Sequence, residues 1–212
     1  MLTPARHSIA VLVSGRGSNL EALARAGERG QLGGRIVAVL SDQPAAPAVD
    51  RARRLGLDCV CPPAGPRRTW IEDERPWLEA LRARHVDVVL LAGFMRRLHA
   101  PMLEAFRDRM LNIHPSLLPA FPGLDAIGRA WRAGVRVTGC TVHLVEEALD
   151  AGPIVAQEAV PVREDDTLEA LEARIHEAEH RLYPDAVRRF LGEPWRRDGN
   201  RIVFGGSGVG AS

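Results

Sequence analysis

Apolar residues along this chain fall in short unbroken runs separated by amphipathic stretches. Ile9 to Val13, uninterrupted, and Val86 to Leu91, broken only by Asp87, are apolar runs of strand length, the pattern of strands covered on both faces of a parallel sheet. Arg35 to Leu40, Asp58 to Cys61, Arg109 to Ile113, Val137 to Val145 and Ile154 to Val160 read as further strands. Between them, Leu20 to Gly27, Ala48 to Leu55, Trp70 to Arg84, Pro101 to Phe106 and Leu124 to Ala133 read as helices, and Leu168 to Leu182 as a long helix followed by Pro184. Strand and helix alternate, so the economical fold is α/β: a Rossmann-like, doubly wound, mostly parallel sheet with helices on both faces. Residues 1–204 form one domain in this reading, and 205–212, small and glycine-rich, form a flexible tail.

In such sheets ligands sit outside the carboxyl ends of the strands. Three polar segments are predicted there: Ser14-Gly15-Arg16-Gly17-Ser18-Asn19-Leu20, the loop Gly93 to Leu98, and Asn112-Ile113-His114-Pro115-Ser116-Leu117-Leu118-Pro119. The first is a strand, a glycine turn and a helix start, which aims free N–H groups at an anion such as a monophosphate. The dinucleotide fingerprint needs a third glycine where Leu20 stands, although Asp42 does follow the next strand; a purely structural turn is the other alternative. The last segment places an amide and an imidazole on alternate residues and stiffens the following backbone with two prolines. It is either a rigid holder for two polar groups or a strand ending in a Pro-rich turn.

Composition narrows the chemistry. With 212 residues, 46% hydrophobic and 26% charged, the chain can bury one full core. A formal net charge of +1 with interspersed signs provides no bulk field for nucleic acid or an anionic membrane, though a small anionic ligand remains possible. Ile9 to Val13 is too short for a signal-peptide core or a bilayer span, and Cys59, Cys61 and Cys140 lack zinc spacing, so a cytoplasmic protein with reduced thiols is expected. The sequence contains no lysine. Schiff-base chemistry, pyridoxal phosphate anchoring and a Walker lysine are thereby excluded, and any phosphate must be held by backbone amides, hydroxyls, Arg or His.

Three side-chain groupings have bland alternatives. His176-Glu177-Ala178-Glu179-His180 matches the zinc-protease signature, but a third ligand is missing unless Glu193 supplies it, and Tyr183-Pro184 interrupts the usual continuation. An amphipathic surface helix, or a polar face contributing to a ligand site, explains the same residues. Cys140 with His114 and Asp150 could form a thiol triad, yet a small residue beside Gly139 and Thr141 on a strand is ordinary core. His143, on that strand, reads as packing or a satisfied hydrogen bond. Asp150 precedes Ala151-Gly152-Pro153 and suits a turn, but an acid beside an imidazole also favours its charged form and can shuttle protons.

Taken together, Ser14-Gly15-x-Gly17-Ser18-Asn19-Leu20, Leu91-Ala92-Gly93-Phe94-Met95-Arg96, Leu111 to Pro119, Thr138-Gly139-Cys140-Thr141-Val142-His143 and Leu149-Asp150-Ala151-Gly152 resemble the phosphoribosylglycinamide formyltransferase family of purine synthesis. The matches keep the family's order from Ile9 to about Phe190. The resemblance implies a transferase that moves a formyl group from 10-formyltetrahydrofolate, a cosubstrate, to the amine of glycinamide ribonucleotide, without a metal. It makes Asn112, His114 and Asp150 the catalytic set, with Thr141 ordering water or the Asp150 loop. Gly17, Ser18 and Asn19 would hold the substrate phosphate, joined by His176 and Glu179 for phosphate and ribose. The folate would lie against Met95, Arg96, Arg97 and Leu98, with Leu103, Asn112, and the loop Glu146, Glu147, Ala148, Leu149 and Asp150; Arg67 would meet its tail. The partners implied are these two small molecules, with no nucleic acid or membrane, for a monomer or homodimer.

The residue types suit that reaction. Asn112 and protonated His114 can donate to the oxygen on which charge develops, and Asp150 can hold the imidazolium and pass a proton through water. Two positions depart from the family. A histidine common in the loop after Pro-Gly is absent from Gly123-Leu124-Asp125-Ala126-Ile127, and His176 stands where Lys or Gln is common. The runner-up activities are formyltetrahydrofolate hydrolysis and non-catalytic binding of nucleotide or folate.

Overall fold

A computed structural model of the chain describes residues 7–67 and 69–205; the expected tail lies outside it beyond Gly205. In chain order the elements are β1 (His7–Val13), α1 (Ser18–Glu28), β2 (Gly34–Ser41), α2 (Pro47–Arg54), β3 (Cys59–Val60), α3 (Arg75–Arg82), β4 (Val88–Leu91), α4 (Ala100–Ala105), β5 (Met110–His114), α5 (Ala126–Arg132), β6 (Val137–Leu144), β7 (Ile154–Pro161), α6 (Leu168–Gly192), β8 (Trp195–Asp198) and β9 (Arg201–Phe204). One sheet runs in the order β3-β2-β1-β4-β5-β6-β7-β9-β8. β3 to β5 pair in parallel, and β6 is antiparallel to both β5 and β7.

The unbroken apolar runs are explained by burial on both faces. Successive strand residues point to opposite sides. Thus Ile9, Val11 and Val13 join Val88, Leu90, Leu111 and Ile113 in one core with α1, α2 and α6, while Ala10 and Leu12 join Val89, Leu91 and Met110 in a second core with Trp77, Leu81 and Met102. Polar residues have no place in these strands until the sheet ends, which is where the site begins.

Two helix boundaries and one added hairpin depart most from the sequence expectation. The helix predicted from Trp70 is only Arg75–Arg82. Before it, Trp70 bridges to Arg97 in extended form, and Arg97 N donates to Thr69 O at 2.9 Å. An apolar repeat cannot distinguish that strand-like contact from a helical turn. The helix expected to stop before Pro184 continues to Gly192 with that proline inside it. Proline in a helix interior costs about 3 kcal/mol. Here Tyr183, Pro184, Ala186, Val187 and Phe190 are buried on that helix, and their burial outweighs the lost hydrogen bond. The hairpin β8–β9, turning at Gly199-Asn200, is an addition; Gly199-Asn200 between Trp195 and Ile202-Val203-Phe204 is the signal that could have found it. Trp195 stacks on Phe190 with centroids 4.7 Å apart, and Arg197 pairs with Glu146 at 2.7 Å, so the hairpin braces the acidic loop after β6.

Candidate active site

The sheet's topological switch lies between β1 and β4, whose following strands go opposite ways. Their exits are stitched together: Ser14 N donates to Gly93 O at 3.2 Å, and Met95 N to Ser14 Oγ at 2.9 Å. The glycine turn and the Gly93 loop therefore form one rim, next to the end of β5 that carries Asn112 and His114.

Antiparallel pairing of β5 with β6 sets Asn112 opposite His143 and His114 opposite Thr141. Asn112 Nδ2 is 3.1 Å from His143 Nε2, and His143 Nδ1 is 2.8 Å from Leu144 O. A carbonyl only accepts, so Nδ1 carries the hydrogen and Nε2 offers a lone pair to the Asn112 amide. Burial pushes the His143 pKa below its ordinary value, against the Leu144 carbonyl and Asp150, which favour the charged ring. His143 is thus a neutral ring that orients Asn112, a role beyond the packing or satisfied bond expected of it. The cross-strand register that brings it there is invisible in the local pattern.

Asp150 completes the cluster. Its Oδ2 lies 3.5 Å from His114 Nδ1 and its Oδ1 3.7 Å from His143 Nε2, with side chains 7% or less exposed. Gly123 N donates to the same Oδ2 at 2.6 Å. Asp150 has φ of 52°, a left-handed conformation that aspartate tolerates better than most residues. The chain closes behind it because Gly152 has no side chain: a Cβ there would stand 2.0 Å from Leu144 O. His114 Nε2 meets Phe121 O at 2.9 Å, so that nitrogen is a donor. Both ring nitrogens face oxygens, an arrangement that an imidazolium satisfies fully. Thr141 fastens the turn after His114: its hydroxyl donates to Ser116 O at 2.7 Å and accepts from Leu118 N at 3.0 Å.

The second cluster lies at the amino terminus of α1. Gly17, at φ 78°, is its N-cap without a side-chain bond, and a Cβ there would meet Ala48 at 2.8 Å. Ser18 is half-buried on the first turn, and Asn19 Nδ2 donates to the buried Glu179 at 2.9 Å. His176 Nδ1 is 3.0 Å from the same carboxylate oxygen. Gly17 to Asn19, His176 and Glu179, far apart in sequence, do come together.

The expected folate residues form the outer rim. Met95 and Leu149 are exposed, at 57% and 48%, and Arg97, Glu147 and Ala148 are also exposed. Leu98 and Leu103 are half-buried against the second core. The Arg96 guanidinium is committed to the buried Asp42 at 2.7 Å and to Trp70 O at 3.3 Å, so only its backbone faces a ligand freely. Arg67 lies over the Trp70 ring at 4.8 Å, and Trp70 bridges to Arg97, which brings this loop to the same rim.

Other chemistry has less support. Burial pushes the Cys140 thiol up to about 12, and the side chain sits in the core, away from His114 and Asp150. Among the described residues no three His, Cys, Asp or Glu side chains converge as a metal-binding group. Both nitrogens of His176 in the zinc-like motif are engaged by protein groups.

Comparison with known proteins agrees with this geometry. The formyl transferase family model matches residues 7–187. The chain is 41% identical to phosphoribosylglycinamide formyltransferase of Bacillus subtilis over 86% of this chain and 94% of that one. It is 42% identical to the bovine trifunctional purine biosynthetic protein adenosine-3 over 87% of this chain, which spans only 18% of that protein. Glycinamide ribonucleotide transformylase 1 of Symbiobacterium toebii superposes with a TM-score of 0.89 at 46% identity, covering 95% of each chain. A formyltetrahydrofolate deformylase of Pseudomonas syringae shares the fold, with a TM-score of 0.85 at 24% identity over 95% of this chain and 66% of that one. The chain belongs to the formyl transferase family.

Proposed function

We propose that the protein transfers the formyl group of 10-formyltetrahydrofolate to the amine of glycinamide ribonucleotide, a step of purine synthesis. The observation that carries this reading is the cluster of Asn112, His114, Asp150 and His143 beside an anion-type turn at the sheet's switch point. In the reaction the amine lone pair attacks the formyl carbon, and negative charge develops on the formyl oxygen. Asn112 gives one amide hydrogen to His143, which leaves the other available for that oxygen. Asp150 stands at 3.5 Å from His114, near enough to hold an imidazolium and too far for a strong direct bond. A bridging water carries the amine's proton towards Asp150, His114 delivers one to the leaving nitrogen, and the proton on Asp150 then passes to His114, which restores both groups without a covalent enzyme intermediate. His114 Nε2 first releases Phe121 O, which makes the 121–125 segment a moving part of the cycle.

The folate lies against the Met95 to Leu98 rim, Leu103 and the 146–150 loop, with Arg67 at its tail; the phosphate lies at Gly17 to Asn19. The three free thiols suit a cytoplasmic setting. No helix among the described residues is long and apolar enough to cross a membrane. The test is to incubate the protein with 10-formyltetrahydrofolate, with and without glycinamide ribonucleotide, and to follow deformylated folate. Release should require the ribonucleotide; release without it would replace this reading with folate hydrolysis.

A further inference from the structure

The glycine turn carries a cation outside the expected set of phosphate-binding residues. Arg16 lies between Gly15 and Gly17 and is exposed, and its Nη2 is 3.1 Å from His176 Nε2. Because His176 Nδ1 faces the Glu179 carboxylate at 3.0 Å, Nδ1 carries a hydrogen and the neutral ring offers Arg16 only a lone pair. Glu179 accepts from Asn19 as well, so a chain of contacts runs from the turn to α6 and back to the first turn of α1.

Two members of this chain are left unfinished. Asn19 is 9% exposed, and its Oδ1 has no partner among the described residues. With the Glu179 carboxylate it forms a buried acceptor pair suited to hydroxyl groups. Arg16 rests on a neutral acceptor, and among the described residues no carboxylate pairs with it. Nearby, Arg25 and Arg51 share the single Glu21 carboxylate. In a chain without lysine, Arg16 is an exposed guanidinium that pairs with no carboxylate among the described residues and sits in the turn at the uncapped amino terminus of α1.

We propose that Arg16 binds the phosphate of the ribonucleotide. His176 is its resting place. This rests on the function proposed above. A charge-assisted contact to phosphate is stronger than one to a neutral imidazole, so the anion takes Arg16 from His176 on binding.

The test compares Arg16→Ala, Arg16→Lys and wild type on glycinamide ribonucleotide and on its dephosphorylated riboside. Arg16→Ala should raise KM for the ribonucleotide at least tenfold, Arg16→Lys should recover part of it, and KM for the riboside should be equal in all three. An unchanged ribonucleotide KM, the same loss on the riboside, or a loss confined to kcat would overturn the proposal. Inorganic phosphate provides a readout that does not depend on catalysis. It should raise the thermal midpoint of wild type and not of Arg16→Ala, and an equal rise in both would also overturn it. Failure of wild type to formylate the ribonucleotide, with the phosphate response intact, would count against the proposed function and leave Arg16 in place.

Discussion

Asn112 Nδ2 and His143 Nε2 stand 3.1 Å apart across an antiparallel strand pair, and the Leu144 carbonyl holds His143 in the tautomer that accepts. The carboxamide is therefore aimed by its neighbour. Removing an oxyanion donor typically costs about a hundred- to a thousandfold in turnover, and Asn112→Ala should fall in that range. His143→Phe should lower kcat by about tenfold or more while KM for both substrates changes little, since transition-state alignment is what it loses. In the double variant the two losses should not add. Steady-state kinetics on all three proteins checks this, and fully multiplicative effects would separate the two residues.

The same pair predicts a pH dependence. Burial lowers the His143 pKa in the folded protein below its ordinary value of 6.5. Between the lowered value and 6.5 the unfolded chain binds a proton that the folded one refuses, so stability is full above about pH 6.5 and falls as the pH drops through that window. Activity should fall on the acid side too, since an imidazolium cannot accept from Asn112. Urea midpoints at several pH values for wild type and His143→Gln should converge towards acid pH; parallel curves would argue against the neutral ring.

His114→Ala and Asp150→Asn should each reduce turnover strongly while ribonucleotide affinity stays close to wild type. Neither side chain contacts the Gly17 to Asn19 cluster. Calorimetric titration beside single-turnover rates separates the two quantities. Wild-type rates in either variant would remove the proton relay proposed for them.

Tyr183 Oη lies 3.0 Å from both Leu91 O and Leu111 O, joining β4 and β5 directly beneath the site. The residue is fully buried, and burial holds its phenol well above the usual range, so it remains a donor. Tyr183→Phe removes the single phenolic hydrogen that these two buried carbonyls share and should cost about 1–3 kcal/mol. A thermal midpoint a few degrees lower is expected, with a smaller effect on KM than on stability.

The alternation of apolar strands and amphipathic helices was legible because both faces of the sheet are covered, and burial on both faces makes the central strands β1 and β4 almost wholly apolar. Helix ends were less legible where tertiary contact overrode local preference. Pro184 lies inside α6 because the residues around it are buried, and Trp70 is extended because it pairs with Arg97.

Asn112, His114, Asp150 and the glycine turn were readable from the chain, since each stands out chemically at a predicted strand end or turn. His143 and Arg16 were not singled out for the site. Their roles depend on partners 31 and 160 residues away, and nothing in the local pattern distinguishes a histidine on a buried strand, or an arginine in a turn, from its ordinary counterparts. Thus the sequence alone determined the fold class and the chemical types at the strand ends. Only the tertiary structure decided which of those groups share a hydrogen bond, because strand register and helix docking set distances that side-chain chemistry cannot.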